Sequence, residues 1–278
     1  MIGIIDVGGG MRGSYGAGVF DWCLENHISF DHHVGVSAGS ANLCSFLSGQ
    51  KGRNLFFYAD YSFRPEYMGL KHFIRTHDYL DLEYIYGEAL TNSKGEYPLD
   101  FQAMLQSGKT FEIVATDALT GLPHYFEMRE MSQDDYGAIK ASSCVPGVNR
   151  PYEWKGGLYY DGGLSDPIPY KRCLDAGCEK VVVVLTRPRN YVRDPAKDER
   201  MAKLLFKYPN AAKALEFRSR VYNDQLKDVM ELERQGRALI VAPDDISGMK
   251  TLTKDREAIV ALYHKGFADA EAIRSFLD

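Results

Sequence analysis

Hydrophobic positions in the 278-residue chain fall into short continuous runs, separated by stretches with helical spacing. Residues 1–7 form an apolar run that leads straight into Gly8, Gly9 and Gly10. From residue 13 to 24, Val19, Phe20, Trp22, Cys23 and Leu24 recur at helical spacing. A second run, 33–36, ends in Ser37-Ala38-Gly39-Ser40, and residues 41–47 then read as a buried helix. Runs at 111–115, 159–160 and 181–185 read as strands; the last is continuous Val and Leu, as in a central strand covered on both faces. Strands alternating with helices predict a layered α/β fold around a mostly parallel sheet. Such sheets hold ligands beyond the carboxyl ends of their strands. The glycine loop and the Ser37 turn both fall at such ends.

The stretch 193–237 has a different texture. It is charged, with Met201, Leu204, Leu205, Ala211, Leu215, Leu226, Val229 and Met230 at helical spacing, which predicts two or three amphipathic helices broken near Pro209. These read as a solvated outer layer. Residues 238–242 look like a last strand and 255–277 like one or two closing helices. With no internal repeat and no low-complexity linker, the expectation is a single domain over 1–278. Its motif-bearing core spans about 2–186, and a helical extension covers about 190–278.

Composition narrows the function classes. Apolar residues make up 45% and charged residues 26% of the chain, which places it with folded globular proteins. The net charge of −5 offers no general attraction for nucleic acid, so no such partner is expected. No run approaches the 18 apolar residues of a membrane span, and the first residues lack the basic region of a signal peptide. Cys23, Cys44, Cys144, Cys173 and Cys178 are scattered with no CxxC spacing, so reduced thiols in the cytoplasm are expected, without zinc or disulfides. No carboxylate cluster has the spacing of a calcium loop, so neither metal nor cofactor is expected.

Three short motifs carry the candidate chemistry. Gly35-Val36-Ser37-Ala38-Gly39 is a GxSxG pattern between an apolar strand and an apolar helix. A serine on that turn adopts a strained backbone that projects its Oγ, and the flanking glycines let strand and helix approach closely. Alone, the pattern is weak, and a glycine-serine turn with a helix cap at Ser37 or Ser40 stays open. Gly8-Gly9-Gly10-Met11-Arg12-Gly13 also lies between a strand and a helix. Its consecutive glycines can turn N–H groups into a cavity, suited to a phosphate or a developing oxyanion. The same residues satisfy GxGxxG, but the acidic ribose ligand of a dinucleotide site is not at the end of the second strand, where Ser37 stands instead; Asp31 precedes that strand. Finally, Asp161-Gly162-Gly163 ends a strand and precedes Asp166-Pro167-Ile168-Pro169. Its carboxylate, freed by two glycines, can reach a neighbouring strand end.

A Ser-His-Asp triad does not fit the order. In that architecture the serine follows several strands and a histidine comes last. Here the serine follows one βα unit, and only His264 lies beyond Asp161. His27, His32, His33, His72, His77 and His124 have no partner pattern.

Taken together, GGGMRG (8–13), GVSAGS (35–40) and YYDGGLSDPIP (159–169) resemble the patatin-like phospholipase family, in its bacterial branch. ATDALTG (115–121) and ASSCVPGVNRP (141–151) resemble further segments of it, so the likeness covers about 2–186. One departure is visible: typical members carry an acidic residue directly before the three glycines, whereas here Val7 does and Asp6 stands one earlier. The resemblance implies a three-layer α/β/α sandwich and lipid acyl hydrolysis, a carboxylic ester hydrolase activity. It implies Ser37 as nucleophile and Asp161 as general base of a Ser-Asp dyad, with Gly8, Gly9 and Gly10 supplying oxyanion-hole amides. Met11, Arg12, Gly13, Gly35, Gly39, Gly162 and Gly163 support the site, Arg12 by ordering the loop or meeting a lipid phosphate. The alternatives are a catalytically silent lipid-binding or regulatory protein of the same fold and, further off, a dinucleotide-binding enzyme.

Ten aromatics cluster between 55 and 86: Phe56, Phe57, Tyr58, Tyr61, Phe63, Tyr67, Phe73, Tyr79, Tyr84 and Tyr86. They are interleaved with Arg64, Lys71, His72, Arg75 and His77. Such a stretch fits an acyl pocket, a lid touching a membrane surface, or an ordinary aromatic core. The expected partner is a lipid or other acyl ester, with peripheral membrane contact as an option.

Overall fold

A computed structural model describes residues 1–277. Eight strands form one sheet: β1 (Ile2–Asp6), β2 (His32–Val36), β3 (Thr110–Asp117), β4 (Pro123–Glu127), β5 (Tyr152–Trp154), β6 (Gly157–Asp161), β7 (Lys180–Val184) and β8 (Ala238–Val241). The order is β5-β6-β3-β2-β1-β7-β8, with β4 beside β3. Strands β3, β2, β1, β7 and β8 are mutually parallel. The other end is antiparallel, since β4 and β6 both run against β3 and β5 against β6. The sheet is therefore mixed, a parallel core with an antiparallel end. The β5–β6 hairpin turns through Lys155 (φ 48°) and Gly156 (φ 78°), the two positive-φ positions of a tight hairpin whose twist matches its strands.

Alternate side chains of the central strands feed two different cores. Ile4, Val182 and Val184 pack on one face with Tyr15, Phe20, Leu43, Phe46, Ile259 and Leu262. Ile5, Val181, Val183, Val34 and Val36 pack on the other with Cys173, Tyr222, Leu226 and Val229. Helices Ser14–Glu25, Ala38–Leu47 and Arg256–Asp269 thus cover the first face, and helices Tyr170–Asp175 and Pro209–Arg234 the second. This is the α/β/α sandwich. The stretch 193–237 holds the amphipathic elements its spacing predicts: helix Pro195–Ala202, a 3-10 turn Lys203–Leu205, then helix Pro209–Arg234 with Pro209 at its first turn. β8 then joins the sheet edge beside β7.

One strand does most to place the site. β3 pairs with β2 over Thr110 to Val114, with β6 over Ala115 to Asp117, and with β4 over Glu112 to Thr116. The β4 pairing overlaps both others, so β4 occupies one edge of β3 while β2 and β6 share the other. Since β2 is parallel and β6 antiparallel to β3, they meet end to end along that edge. Val36 lies opposite Val114, and Asp161 lies opposite Ala115, the next residue.

Candidate active site

Ser37 follows the last residue of β2 and stands at the N-cap position of the helix Ala38–Leu47, with φ 56° and ψ −131° and no capping hydrogen bond from its side chain. A non-glycine residue in that region is strained and persists only where its surroundings over-determine it. Its amide donates to Ser142 Oγ at 2.8 Å, and Ser142 Oγ in turn donates to the Val114 carbonyl at 2.5 Å. The turn is also tight: a Cβ on Gly35 would lie 2.6 Å from Ser40 Cα, and one on Gly39 would lie 2.3 Å from the Asp6 carbonyl oxygen. Glycine at both flanks is therefore a packing requirement.

Asp161 ends β6 and caps the short turn Gly162–Leu164, accepting the Gly163 N–H at 2.8 Å. It is buried, and burial raises its pKa above the usual carboxylate range. Arg218, the Ser37 hydroxyl and the Gly163 amide pull in the opposite direction. The structure thus brings Ser37 and Asp161 together, with the hydroxyl facing the carboxylate. No histidine lines the small cavity at Ser37. Asp31, just before the start of β2, accepts the Ile2 N–H of β1 and so stands at the opposite end of β2 from Ser37; it is not a ribose ligand.

The glycine loop packs over the start of the Ser37 helix: a Cβ on Gly8 would lie 2.3 Å from the Val36 carbonyl and 3.0 Å from the Ala38 amide. Gly8, Gly9 and Gly10 all have positive φ (61°, 129° and 61°). The set of available donors is smaller than the sequence suggests. The Gly8 N–H is taken by Asp6 Oδ1 at 2.9 Å and the Met11 N–H by the Thr251 carbonyl at 2.9 Å. Among the described residues no hydrogen bond engages the Gly9 or Gly10 amide.

Asp6 also explains the shifted acidic residue. Its other oxygen accepts Asn42 Nδ2 at 2.8 Å, and Asn42 binds the Gly13 carbonyl and the Tyr58 hydroxyl. Asp6 therefore ties the glycine loop to the helix Ala38–Leu47 from below, while Val7 packs with the opposite core. Full burial pushes the Asp6 carboxyl up to about 6.

A cavity of about 50 Å³ opens at Ser37, walled by Gly10, Met11, Ala38, Tyr58, Tyr67, Leu80, Leu82, Ile85, Tyr86, Ser143, Val145, Thr251 and Leu252. Leu80 and Leu82 also line a second, larger cavity of about 970 Å³. That groove does not reach Ser37; it runs between residues 72–83, 147–153 and 204–208. On or beside its rim, Leu70 (67% exposed), Ile74 (71%), Leu204 (62%) and Phe206 (78%) point to solvent. The aromatic stretch 55–86 thus divides three ways. Phe57, Tyr58 and Tyr67 are buried, Tyr58, Tyr67 and Tyr86 wall the small cavity, and Phe56, Phe63 and Phe73 are exposed. Of its basic residues, Arg64 pairs with Glu96 and His72 contacts Asp81, while Lys71 and Arg75 are free of ion pairs among the described residues.

Sequence reasoning missed Ser142 and Arg218. Ser142 lies in the ASSCVPGVNRP segment, whose first residues mark it only by resemblance. Arg218 comes from the helix read as a solvated layer; instead, its Nη2 lies 3.0 Å from the point where a Gly163 Cβ would stand, beside Asp161.

Comparison with known proteins agrees with this architecture. The model for patatin-like phospholipases matches residues 7–174, and a model for a domain of unknown function, DUF6363, matches 208–275. The chain belongs to the patatin-like phospholipase family, a family of lipid hydrolases. It is 33% identical over 207 residues to YjjU, an uncharacterised protein of Escherichia coli K12, an alignment covering 73% of this chain and 57% of YjjU. An uncharacterised NTE family protein of Mycobacterium tuberculosis H37Rv shares 41% identity over 59 residues, 21% of this chain and 15% of that one. Among solved structures, VipD from Legionella pneumophila superposes with a TM-score of 0.51 over 98% of this chain and 66% of VipD, at 14% identity, a likeness of fold. The chain thus spans less than two thirds of each of these proteins. Among the described residues no helix is long and apolar enough to cross a membrane.

Proposed function

We propose that this protein is a serine-dependent carboxylic ester hydrolase acting on lipid acyl esters, with Ser37 as nucleophile and Asp161 as its sole side-chain base. The observation that carries this reading is the end-to-end meeting of β2 and β6 on β3, which sets a strained serine against a buried carboxylate. Ser37 Oγ attacks the ester carbonyl as its proton passes to Asp161. The resulting tetrahedral oxyanion is met by the free N–H groups of Gly9 and Gly10. Collapse expels the alcohol, which takes the proton from Asp161 and leaves an acyl-serine. Water attacks that ester with Asp161 again as base, releasing the fatty acid and restoring the hydroxyl.

An aspartate of ordinary pKa, about 3.9, is a feeble base toward a hydroxyl. Burial strengthens Asp161, and each oxyanion donor is worth about 2.7–4 kcal/mol, so the glycine loop carries as much of the rate as the dyad. The apolar cavity at Ser37 receives the start of the acyl chain, and the groove beyond Leu80 and Leu82 its remainder. The exposed Leu70, Ile74, Leu204 and Phe206, with Lys71, Arg75, Lys203 and Lys207 among them, form the face that meets an anionic lipid surface. The chain works as one unit in this reading, the residues beyond about 190 closing the second face of the site.

Labelling with a fluorophosphonate tests the core of the proposal. Intact mass should show one adduct on wild type and none on Ser37→Ala. A folded wild type that takes no adduct would leave the fold as a silent lipid-binding protein.

A further inference from the structure

Three arginines meet at the site without a carboxylate partner. Arg12 is only 5% exposed, and its Nε and Nη1 are buried with nothing to bond. Its Nη2 lies 3.2 Å from the point where a Gly9 Cβ would stand; Thr186 Oγ1, which donates to the Gly8 carbonyl, lies 2.7 Å from the same point. Arg187 follows Thr186 directly, and its guanidinium stacks on the Tyr191 ring at 4.2 Å. Arg218 reaches in from helix Pro209–Arg234, with Nη2 beside Gly163 and its Nε buried without a partner. None of the three forms an ion pair or a hydrogen bond among the described residues. Arg193, nearby, is already held by Asp198 at 2.6 and 2.7 Å.

Buried charge without a partner is expensive, and isolated guanidiniums normally find a carboxylate or a ligand. Mutual repulsion makes this cluster costlier still: burial first, then Arg187, Arg193 and Arg218, push the Arg12 guanidinium down to about 9. It stays charged at neutral pH. Burial and Arg193 likewise push Arg218 down to about 10. The carboxylates near enough to matter are Asp161, which faces Ser37, and Asp198, which Arg193 occupies. A surplus of positive charge remains.

We propose that Arg187 and Arg218, together with Arg12, form a seat for a phosphoryl group, and that the group is the headgroup phosphate of the lipid whose ester lies at Ser37. The headgroup part rests on the hydrolase reading; the seat itself does not. Planar guanidiniums suit an anion with several oxygens, and a phosphoryl group offers such oxygens to more than one of them at once. The seat borders Gly9 on one side and Gly163 on the other, so a phosphate held there belongs to the same small molecule as the reacting carbonyl. Arg187 and Arg218 both lie outside the stretch matched to the hydrolase family, and Arg218 lies in the segment matched to a domain of unknown function. Helix Pro209–Arg234 therefore contributes to ligand choice.

The seat is tested with inorganic phosphate and thermal unfolding, using chloride at equal ionic strength as control, on wild type, Arg187→Gln and Arg218→Gln. Arg187 is only partly buried and makes no hydrogen bond or ion pair among the described residues, so its variant should fold. Phosphate should raise the wild-type Tm beyond chloride and lose that effect in Arg187→Gln. In parallel, the ratio of kcat/KM for a lysophospholipid to that for an uncharged monoacylglycerol should fall about 10- to 100-fold in Arg187→Gln, as when a charged hydrogen bond is lost. Phosphate protection through Arg187 with an unchanged ratio would keep the anion seat and overturn the headgroup assignment in favour of free phosphate. Wild type indifferent to phosphate would overturn the seat. If neither lipid is cleaved and Ser37 takes no probe, the hydrolase reading fails while the phosphate titration still decides the seat.

Discussion

Val36 and Asp161 stand opposite consecutive residues of β3, Val114 and Ala115, although 125 positions separate them in the chain. Neither strand hydrogen-bonds the other at that point; a third strand sets both. Ser142 secures the junction by bonding the Ser37 amide and the Val114 carbonyl together.

Removing that fastening should loosen Ser37, the proposed nucleophile. Ser142→Ala leaves the buried Ser37 N–H without an acceptor, which costs about 1–3 kcal/mol of stability. We expect kcat to fall at least as far as KM rises, since the serine backbone is displaced rather than the substrate pocket. The denaturant midpoint and steady-state kinetics check this together. A variant with wild-type kcat would show that Ser37 holds its strained conformation without Ser142.

The pH profile should carry the mark of a buried base. In the proposed mechanism Asp161 is ionised when it accepts the proton, and burial raises its pKa, so kcat/KM should climb through an acid limb above the ordinary aspartate value of about 3.9. Arg218 is the strongest influence holding that pKa down, so Arg218→Gln should move the limb to higher pH. A limb that stays in place would mean that Asp161 is not the titrating base. Stability runs the other way. A carboxyl raised on folding contributes most below its unfolded pKa, and that contribution is lost as pH rises through the folded one. Asp161→Asn should therefore abolish turnover yet stabilise the protein at neutral pH, a trade visible by calorimetry.

Gly9→Ala strikes the proposed oxyanion loop. At φ 129° an alanine is strained, and its Cβ would meet Thr186 Oγ1 at 2.7 Å, so the loop must shift. Turnover should drop by at least about 100-fold while the folded state, paying about 1–3 kcal/mol of strain, persists. Near-normal activity in that variant would remove Gly9 from the set of donors.

The apolar rim should govern attachment to vesicles. Ile74→Ser combined with Phe206→Ser removes the two most exposed apolar side chains of the rim, and cosedimentation with anionic phosphatidylglycerol vesicles should weaken severalfold. Turnover of a short-chain soluble ester controls for folding. Undiminished attachment would place the membrane face elsewhere. Phe57 is a poor choice for this test despite its place in the aromatic stretch, because it is buried in the core.

Much of this site was legible in the sequence. The GxSxG turn and the glycine loop are local devices, and Gly8, Gly10, Gly35 and Gly39 each answer to a close backbone atom, so motif and contact coincide. The parallel strands β1, β2, β3 and β7 announce themselves as apolar runs. β4 and β5 do not: Tyr152–Trp154 is three residues long, and Pro123–Glu127 mixes polar and apolar positions without clear alternation. Arg218 was hidden for a different reason. On its helix it borders the buried stripe of Leu215, Ser219, Tyr222 and Leu226, and periodicity reports which residues share a face, never what that face meets. The bond from the Gly8 amide to Asp6 was equally invisible, since it depends on how the loop folds back over the end of β1.

The end-to-end meeting of β2 and β6 has a consequence for how such a catalyst can be altered. The serine belongs to the parallel core and the aspartate to a short hairpin, and both take their register from the edge of β3. The hairpin is thus a cartridge, replaceable at Tyr152–Asp161 while the nucleophile stays mounted. The same mounting is unforgiving of register: a slip of one residue would move the carboxylate about 3.3 Å and turn it to the far side of the sheet.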